Sequence, residues 1–150
     1  MAAIGFRCWK DRVALVVVNG TRSAPELVTH EVRTVPALPS RAEELHWVRR
    51  EVQEILDTHR PDRGFYKAAE PMAQRKDLAR AEVEGVLQEA AFGHKTRLSL
   101  TKRINVQIVR DTAFSRKPRY LQELLSGTPL AGLPAAQREA GMAALCGLPE

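Results

Sequence analysis

Catalysis and metal binding need particular side chains at particular spacings, and most reactive residues of this 150-residue chain lack them. His30, His46, His59 and His94 share no spacing that would close a zinc site, and no Cys-x-x-Cys occurs. Cys8 and Cys146 are too few for a disulfide framework or a four-ligand metal centre. As two packed thiols they suit a reducing compartment. Cys8, beside Trp9, would act as a nucleophile only with a positioned base, and the sequence identifies none. Ser23, Ser99 and Ser115 lack the context of a nucleophile elbow. No glycine-rich phosphate loop of the Walker kind is present.

One stretch has a chemical bias. Between positions 95 and 119 stand Lys95, Arg97, Lys102, Arg103, Arg110, Arg116, Lys117 and Arg119, with Asp111 as the one acid. That segment carries +7 while the whole chain carries +5, so the rest sums to −2. Charge gathered this way makes a field that draws phosphate backbones. The same run also reads as solvated surface that lacks acids, because proximity in sequence does not put side chains on one face.

The elements that must position these residues read as mixed α/β. Ile4-Gly5-Phe6 opens a strand, Trp9-Lys10-Asp11 turns, and Arg12 to Val18 is β-branched enough for a buried strand. Asn19-Gly20 is a strong hairpin signal, and Glu26 to Val35 alternates as a third strand before Pro36 and Pro39 end it. Ser40 to His59 is the clearest helix. Ser40 and Glu43 form a capping box, and Leu45, Val48, Val52, Ile55 and Leu56 fall on one face. Arg63 to Ala69 reads as a short strand. A helix follows from about Gln74 to Phe92, with Leu78, Ala81, Val86 and Ala90 inward and Gly93 as its left-handed end. Arg97 to Leu100 reads as a fifth strand, Thr101 as the cap of a short helix holding Ile104 and Ile108, and Pro118 to Leu125 as helical. Pro134 to Leu145 is a last helix, whose Ala136, Ala140, Ala143 and Ala144 would pack close against a sheet. The expectation is one domain over 1–150: a central mixed sheet of about five strands flanked by helices.

This order, with certain strings, resembles the RuvC branch of the RNase H-like superfamily, whose founder cuts four-way DNA junctions. Ile4-Gly5-Phe6-Arg7 is similar to that branch's opening strand, which reads Ile-Gly-hydrophobic-Asp. His59-Arg60-Pro61-Asp62 leading to Phe65-Tyr66-Lys67 looks like its helix-Pro-Asp-strand junction, where a catalytic Glu ends the strand. Val83-Glu84-Gly85-Val86-Leu87 sits where the packing helix often carries a small residue. Gln137-Arg138-Glu139-Ala140-Gly141-Met142-Ala143-Ala144 resembles the closing helix, in which acids precede an Ala-rich face. In active members such acids bind two Mg²⁺ ions that activate water and stabilise the leaving oxygen.

The departures decide the functional expectation. The resemblance puts Arg7 at the first Asp and Lys67 at the Glu, leaving Glu139 at the closing position and Ala136 where a companion acid can sit. Cations repel Mg²⁺ and supply none of its hard oxygen ligands. The expectation is a catalytically inactive RuvC-like domain, without metal or cofactor, that binds DNA or RNA or serves in a nucleic-acid-processing or defence complex. Its basic footprint would be the 95–119 segment. One alternative is a protein-interaction or homodimerisation module whose old cleft holds a salt bridge from Arg7 or Lys67 to Glu139. Another is a Mg²⁺- or Mn²⁺-dependent nuclease using displaced acids, Asp11, Glu70 and Glu139.

Composition excludes other classes. With 44% hydrophobic and 27% charged residues the chain is globular rather than disordered. Its longest apolar run, Val13 to Val18, is far short of the roughly 20 residues that span a bilayer. No secretory signal is visible at the N-terminus, so no membrane and a cytoplasmic location are expected.

Overall fold

The computed structural model describes residues 1–68, 77–101 and 125–150. Five strands form one mixed sheet in the order β3-β2-β1-β4-β5. They are β1 (Ala2–Cys8), β2 (Arg12–Gly20), β3 (Pro25–Thr34), β4 (Arg63–Lys67) and β5 (Leu100–Thr101). The first three pair antiparallel, whereas β4 runs parallel to both β1 and β5. Among the described residues, three α-helices flank the sheet: α1 (Arg41–His59), α2 (Leu78–Gly93) and α3 (Ala135–Gly147).

The period of two along the strands sorts residues onto two cores. Ile4, Phe6 and Cys8 of β1, with Val13, Leu15 and Val17 of β2, join Val48, Val52, Ile55 and Leu56 of α1 and Val83 and Leu87 of α2. Ala3, Ala14, Val16 and Val18 face the other way, against Ala140, Ala144 and Leu145 of α3. Gly5 also lies on that side. A Cβ there would stand 2.0 Å from the Ala140 carbonyl oxygen and 2.3 Å from the Ala144 nitrogen, so only glycine lets α3 seat on β1.

Several boundaries differ from the sequence reading, each for a local reason. Asn19 and Gly20 are not the turn itself. They pair with Glu26 and Pro25, and the loop is Thr21 to Ala24, with Gly20 in the left-handed region at φ 92°. Ser40 caps α1 by accepting from the Glu43 amide, but its hydroxyl donates to the Glu43 carboxylate rather than the carboxylate reaching back to the Ser40 amide. Asp77 caps α2, which starts at Leu78; positions 74–76 lie outside the described residues.

The buried face of α2 is Val83, Glu84, Leu87, Ala90 and Ala91; of the expected stripe Ala90 is buried and Val86 half-buried against the core, whereas Leu78 and Ala81 are exposed. The stripe continues N-terminally through Arg80, a polar residue that hydropathy leaves out. Gly93 closes α2 without a left-handed backbone, because the chain leaves through an extended His94. The fifth strand is only Leu100 and Thr101: Arg97 adopts φ 48°, which interrupts any extended run, and Thr101 is sheet rather than cap. The helix expected around Ile104 and Ile108, and the one expected from Pro118 apart from Leu125, lie outside the described residues.

Candidate functional site

Arg7 and Lys67 meet at one end of the sheet because β1 and β4 run parallel in the register Arg7 opposite Lys67. Register partners in such a pair project to the same face. α3 closes that face. Its approach over Gly5 brings Glu139 to β1, and the Arg7 Nε donates to the Glu139 Oε2 at 2.5 Å. The two side chains are only 16% and 24% exposed, so the pair is largely withdrawn from water. A second Arg7 nitrogen, Nη1, donates to the Cys8 carbonyl. Lys67 is buried, with its Nζ 3.5 Å from the Ala68 carbonyl oxygen.

Residues that sequence reasoning passed over complete this end. The Arg7 and Arg12 guanidiniums stand 4.7 and 4.4 Å from the centre of the Trp9 ring, a distance at which cations are attracted to its face. Arg80 donates to the Glu84 carboxylate at 2.8 Å and to the Lys67 carbonyl at 2.9 Å. The i, i+4 spacing of Arg80 and Glu84 was a readable signal of that pair. Burial, with Glu84 nearby, pushes the Cys8 thiol up to about 12. Tyr66 is likewise pushed up to about 12 by burial and then by Glu84. Cys8 is therefore a protonated, packed thiol and no nucleophile at neutral pH.

As a ligand set for Mg²⁺ or Mn²⁺ the described cluster does not fit. Its two carboxylates, Glu139 and Glu84, are each engaged by a guanidinium, and a buried ammonium side chain stands in the strand beside β1. Asp11 is exposed in the β1–β2 turn, where its carbonyl accepts from the Val35 amide. It joins no group of three metal-ligating side chains among the described residues. Glu70 lies outside the described residues.

Of the basic segment, two residues are described. Lys95 is exposed, 3.8 Å from the Asp57 carboxylate, and Arg97 is exposed. Lys102, Arg103, Arg110, Arg116, Lys117 and Arg119 lie outside the described residues. Among the described residues no helix is long and apolar enough to cross a membrane.

Three antiparallel strands followed by two parallel ones, with α1 and α2 on one face and a small-residue helix on the other, make an RNase H-like fold similar to that of RuvC. Thermus thermophilus RuvC superposes with a TM-score of 0.73 at 18% identity, over 97% of this chain and 92% of that one. T. thermophilus RuvC in complex with a Holliday junction substrate gives 0.68 at 18%, over 97% and 90%. A fowlpox virus Holliday junction resolvase gives 0.52 at 10%, over 96% and 92%. At these identities the likeness is one of fold. No protein-family model matches the chain, and no curated protein matches it by sequence.

Proposed function

We propose that this chain is a catalytically inactive RuvC-like domain that binds nucleic acid, alone or as a subunit of a nucleic-acid-processing or defence complex. The observation that carries the inactivity is the Arg7–Glu139 ion pair beside Lys67, a feature that the interaction-module alternative shares. By the resemblance, these three positions belong to the metal-binding acids of active members. A guanidinium in the first of them occupies the remaining carboxylate and replaces an anion with a cation, so two-metal hydrolysis has neither ligands nor a favourable field. Nucleic-acid binding is supported by the fold shared with a RuvC solved on junction DNA and by the charge of the 95–119 segment.

Two measurements test this. Incubation with four-way junction, duplex or RNA–DNA hybrid in Mg²⁺ or Mn²⁺ should give no cleavage. Divalent-dependent cleavage lost on Glu139→Ala would establish the nuclease alternative with displaced acids. Binding to duplex DNA should weaken as salt rises, with a log–log slope of roughly −0.9 per phosphate neutralised. That slope should shrink when Lys102, Arg103, Arg116 and Lys117 are replaced by Ala. Absence of binding at low salt would favour an interaction or homodimerisation module, a reading that draws on the exposed Leu78 and Phe92 at the two ends of α2.

A further inference from the structure

A separate group of cations lies at the other end of β4. Lys67 ends that strand and Arg63 begins it, four residues or about 13 Å away. A cavity of about 670 Å³ opens there, lined by Arg60, Arg63, Arg97, Thr96, Ser99 and Phe65 among others. Its size is that of a small-molecule site. Asp62, the acid in the wall, is engaged: its Oδ2 accepts from the Ala2 amide at 2.8 Å.

The three arginines are not committed elsewhere. Arg7, Arg22, Arg33, Arg41, Arg49 and Arg80 each hold a carboxylate. Among the described residues, Arg60, Arg63 and Arg97 hold none and donate no side-chain hydrogen bond. Moreover, Arg60 and Arg97 are the non-glycine residues with left-handed backbone among those described, at φ 43° and 48°. That conformation disfavours any residue with a Cβ, and glycine is the usual occupant after a helix such as α1. Both departures place a guanidinium at the same cavity.

We propose that this cavity binds a phosphorylated ligand of nucleotide size. The planar N–H forks of the arginines suit phosphate oxygens, and the Ser99 hydroxyl lines the same wall as a further donor, whereas the Thr96 hydroxyl is engaged with the His94 Nδ1 at 3.1 Å. The phosphate belongs either to a free nucleotide or to the end of a strand. The site is independent of the reading given to Arg7 and Glu139, since a mononucleotide that fills it need not touch the far end of β4.

Calorimetric titration of the full chain at low salt separates these sources. The probes are AMP, adenosine, and a short single strand with and without a 5′-phosphate. AMP should bind and adenosine should not, and the phosphorylated strand should bind more tightly than its twin. If the phosphorylated strand alone binds, the ligand is a strand end, and the phosphate site stands. Arg60→Gly and Arg97→Gly remove a cation where glycine suits the backbone, so the melting temperature should hold or rise. Each should weaken AMP or strand-end affinity roughly tenfold, the size of one lost charge-assisted hydrogen bond. Arg50→Ala, on the exposed surface of α1, should leave affinity unchanged. No binding of any phosphorylated probe overturns the proposal, as does binding that ignores both glycine variants or falls equally with Arg50→Ala.

Discussion

The two faces of the sheet are built on opposite principles. Under α1 and α2 the core is a layer of large side chains, with Phe6, Leu15, Ile55, Leu56, Tyr66 and Leu87 fully buried. Under α3 the buried leucines Leu130, Leu133, Leu145 and Leu148 stand around the contact, but over β1 itself the layer gives way: Gly5 touches the backbone at Ala140 and Ala144, and Gly147 comes against Ala3 and Phe65. Side chains can shift rotamer to absorb a small misfit, whereas backbone against backbone cannot. The Arg7–Glu139 pair sits on the stiff face. Glu139 reaches Arg7 because α3 rests directly on β1, with no side chain between them to vary the distance.

The most forceful way to break this contrast is to add one carbon on one face and remove three on the other. Gly5→Ala should cost about 3 kcal/mol or more, at the upper end for overpacking, because the new methyl meets main-chain atoms. Leu87→Ala should cost about 2–5 kcal/mol through the cavity it leaves, and Leu87→Met less than about 1.5 kcal/mol. Urea denaturation measures all three. A loss below about 1 kcal/mol for Gly5→Ala would mean that α3 has room to slide, and the fixed geometry of the Arg7–Glu139 pair would lose its explanation.

Much of this architecture is legible in the residues. The cap at Ser40 and the face Val48, Val52, Ile55 and Leu56 mark α1 directly, and alternation in β1 and β2 marks strands that serve two cores. The reading fails where polar residues enter the core or the backbone turns left-handed. Arg80 and Glu84 carry the α2 stripe inward as an ion pair, which hydropathy cannot weigh. Arg97 breaks the fifth strand with a conformation that no propensity assigns to arginine. The site is legible in part. Arg7, Lys67 and Glu139 stand out by resemblance, but the contact between the first and last depends on Gly5 beneath Ala140, 135 positions away in sequence. The cavity arginines stand in two separate segments, which the parallel pairing of β4 with β5 and the His94–Asp57 contact bring together.

Within the stiff face, the ion pair itself should be worth less than its seating. Arg7 and Glu139 are mostly buried but not sealed. Loss of one partner should therefore fall between the roughly 0–1 kcal/mol of surface pairs and the roughly 3–5 kcal/mol of sealed ones. Glu139→Gln is expected to cost about 2 kcal/mol. In a double-mutant cycle with Arg7→Met, the coupling should account for most of that loss. A coupling near zero would assign Arg7 to Trp9 and the Cys8 carbonyl instead.

Alkaline pH offers a gentler way to sharpen the contrast. On the large-residue face, burial raises Cys8 from 9.0 to about 12 and Tyr66 from 10.0 to about 12; Cys146, on α3, rises to about 11. All three stay protonated in the folded chain after the unfolded chain has begun to release their protons. Their contribution is therefore complete below about pH 9 and is lost as pH rises from there toward 12. Each group contributes at most about 1.4 kcal/mol per pH unit to the downward slope. Cys8→Ala should flatten the slope from pH 9 toward 12, a wider range than Cys146→Ala, which acts from 9 toward 11; Tyr66→Phe should act from 10 toward 12. Stability against urea at pH 8 to 12 reads this. Flattening by Cys146→Ala over as wide a range as by Cys8→Ala would show that the two faces desolvate their thiols alike.

The smallest effect compares two glycines that share a place in the resemblance but not in the packing. Gly5 is walled by main chain, whereas a Cβ on Gly85 would meet nothing within 4 Å. Gly85 is exposed in the middle of α2, on the side turned away from Val83 and Leu87. The small residue expected there for close packing is thus not used for packing in this chain. Its backbone is ordinary helix with no positive φ, so alanine fits the folded state and narrows the unfolded one. Gly85→Ala should raise stability by about 0.5–1 kcal/mol, opposite in sign to the same change at Gly5. Thermal unfolding of the two variants side by side is the cleanest comparison, because the chemistry of the substitution is identical and only the neighbour differs. If Gly85→Ala destabilises, α2 packs against something on that side, and the exposed Leu78 and Phe92 at its ends become the first places to look for it.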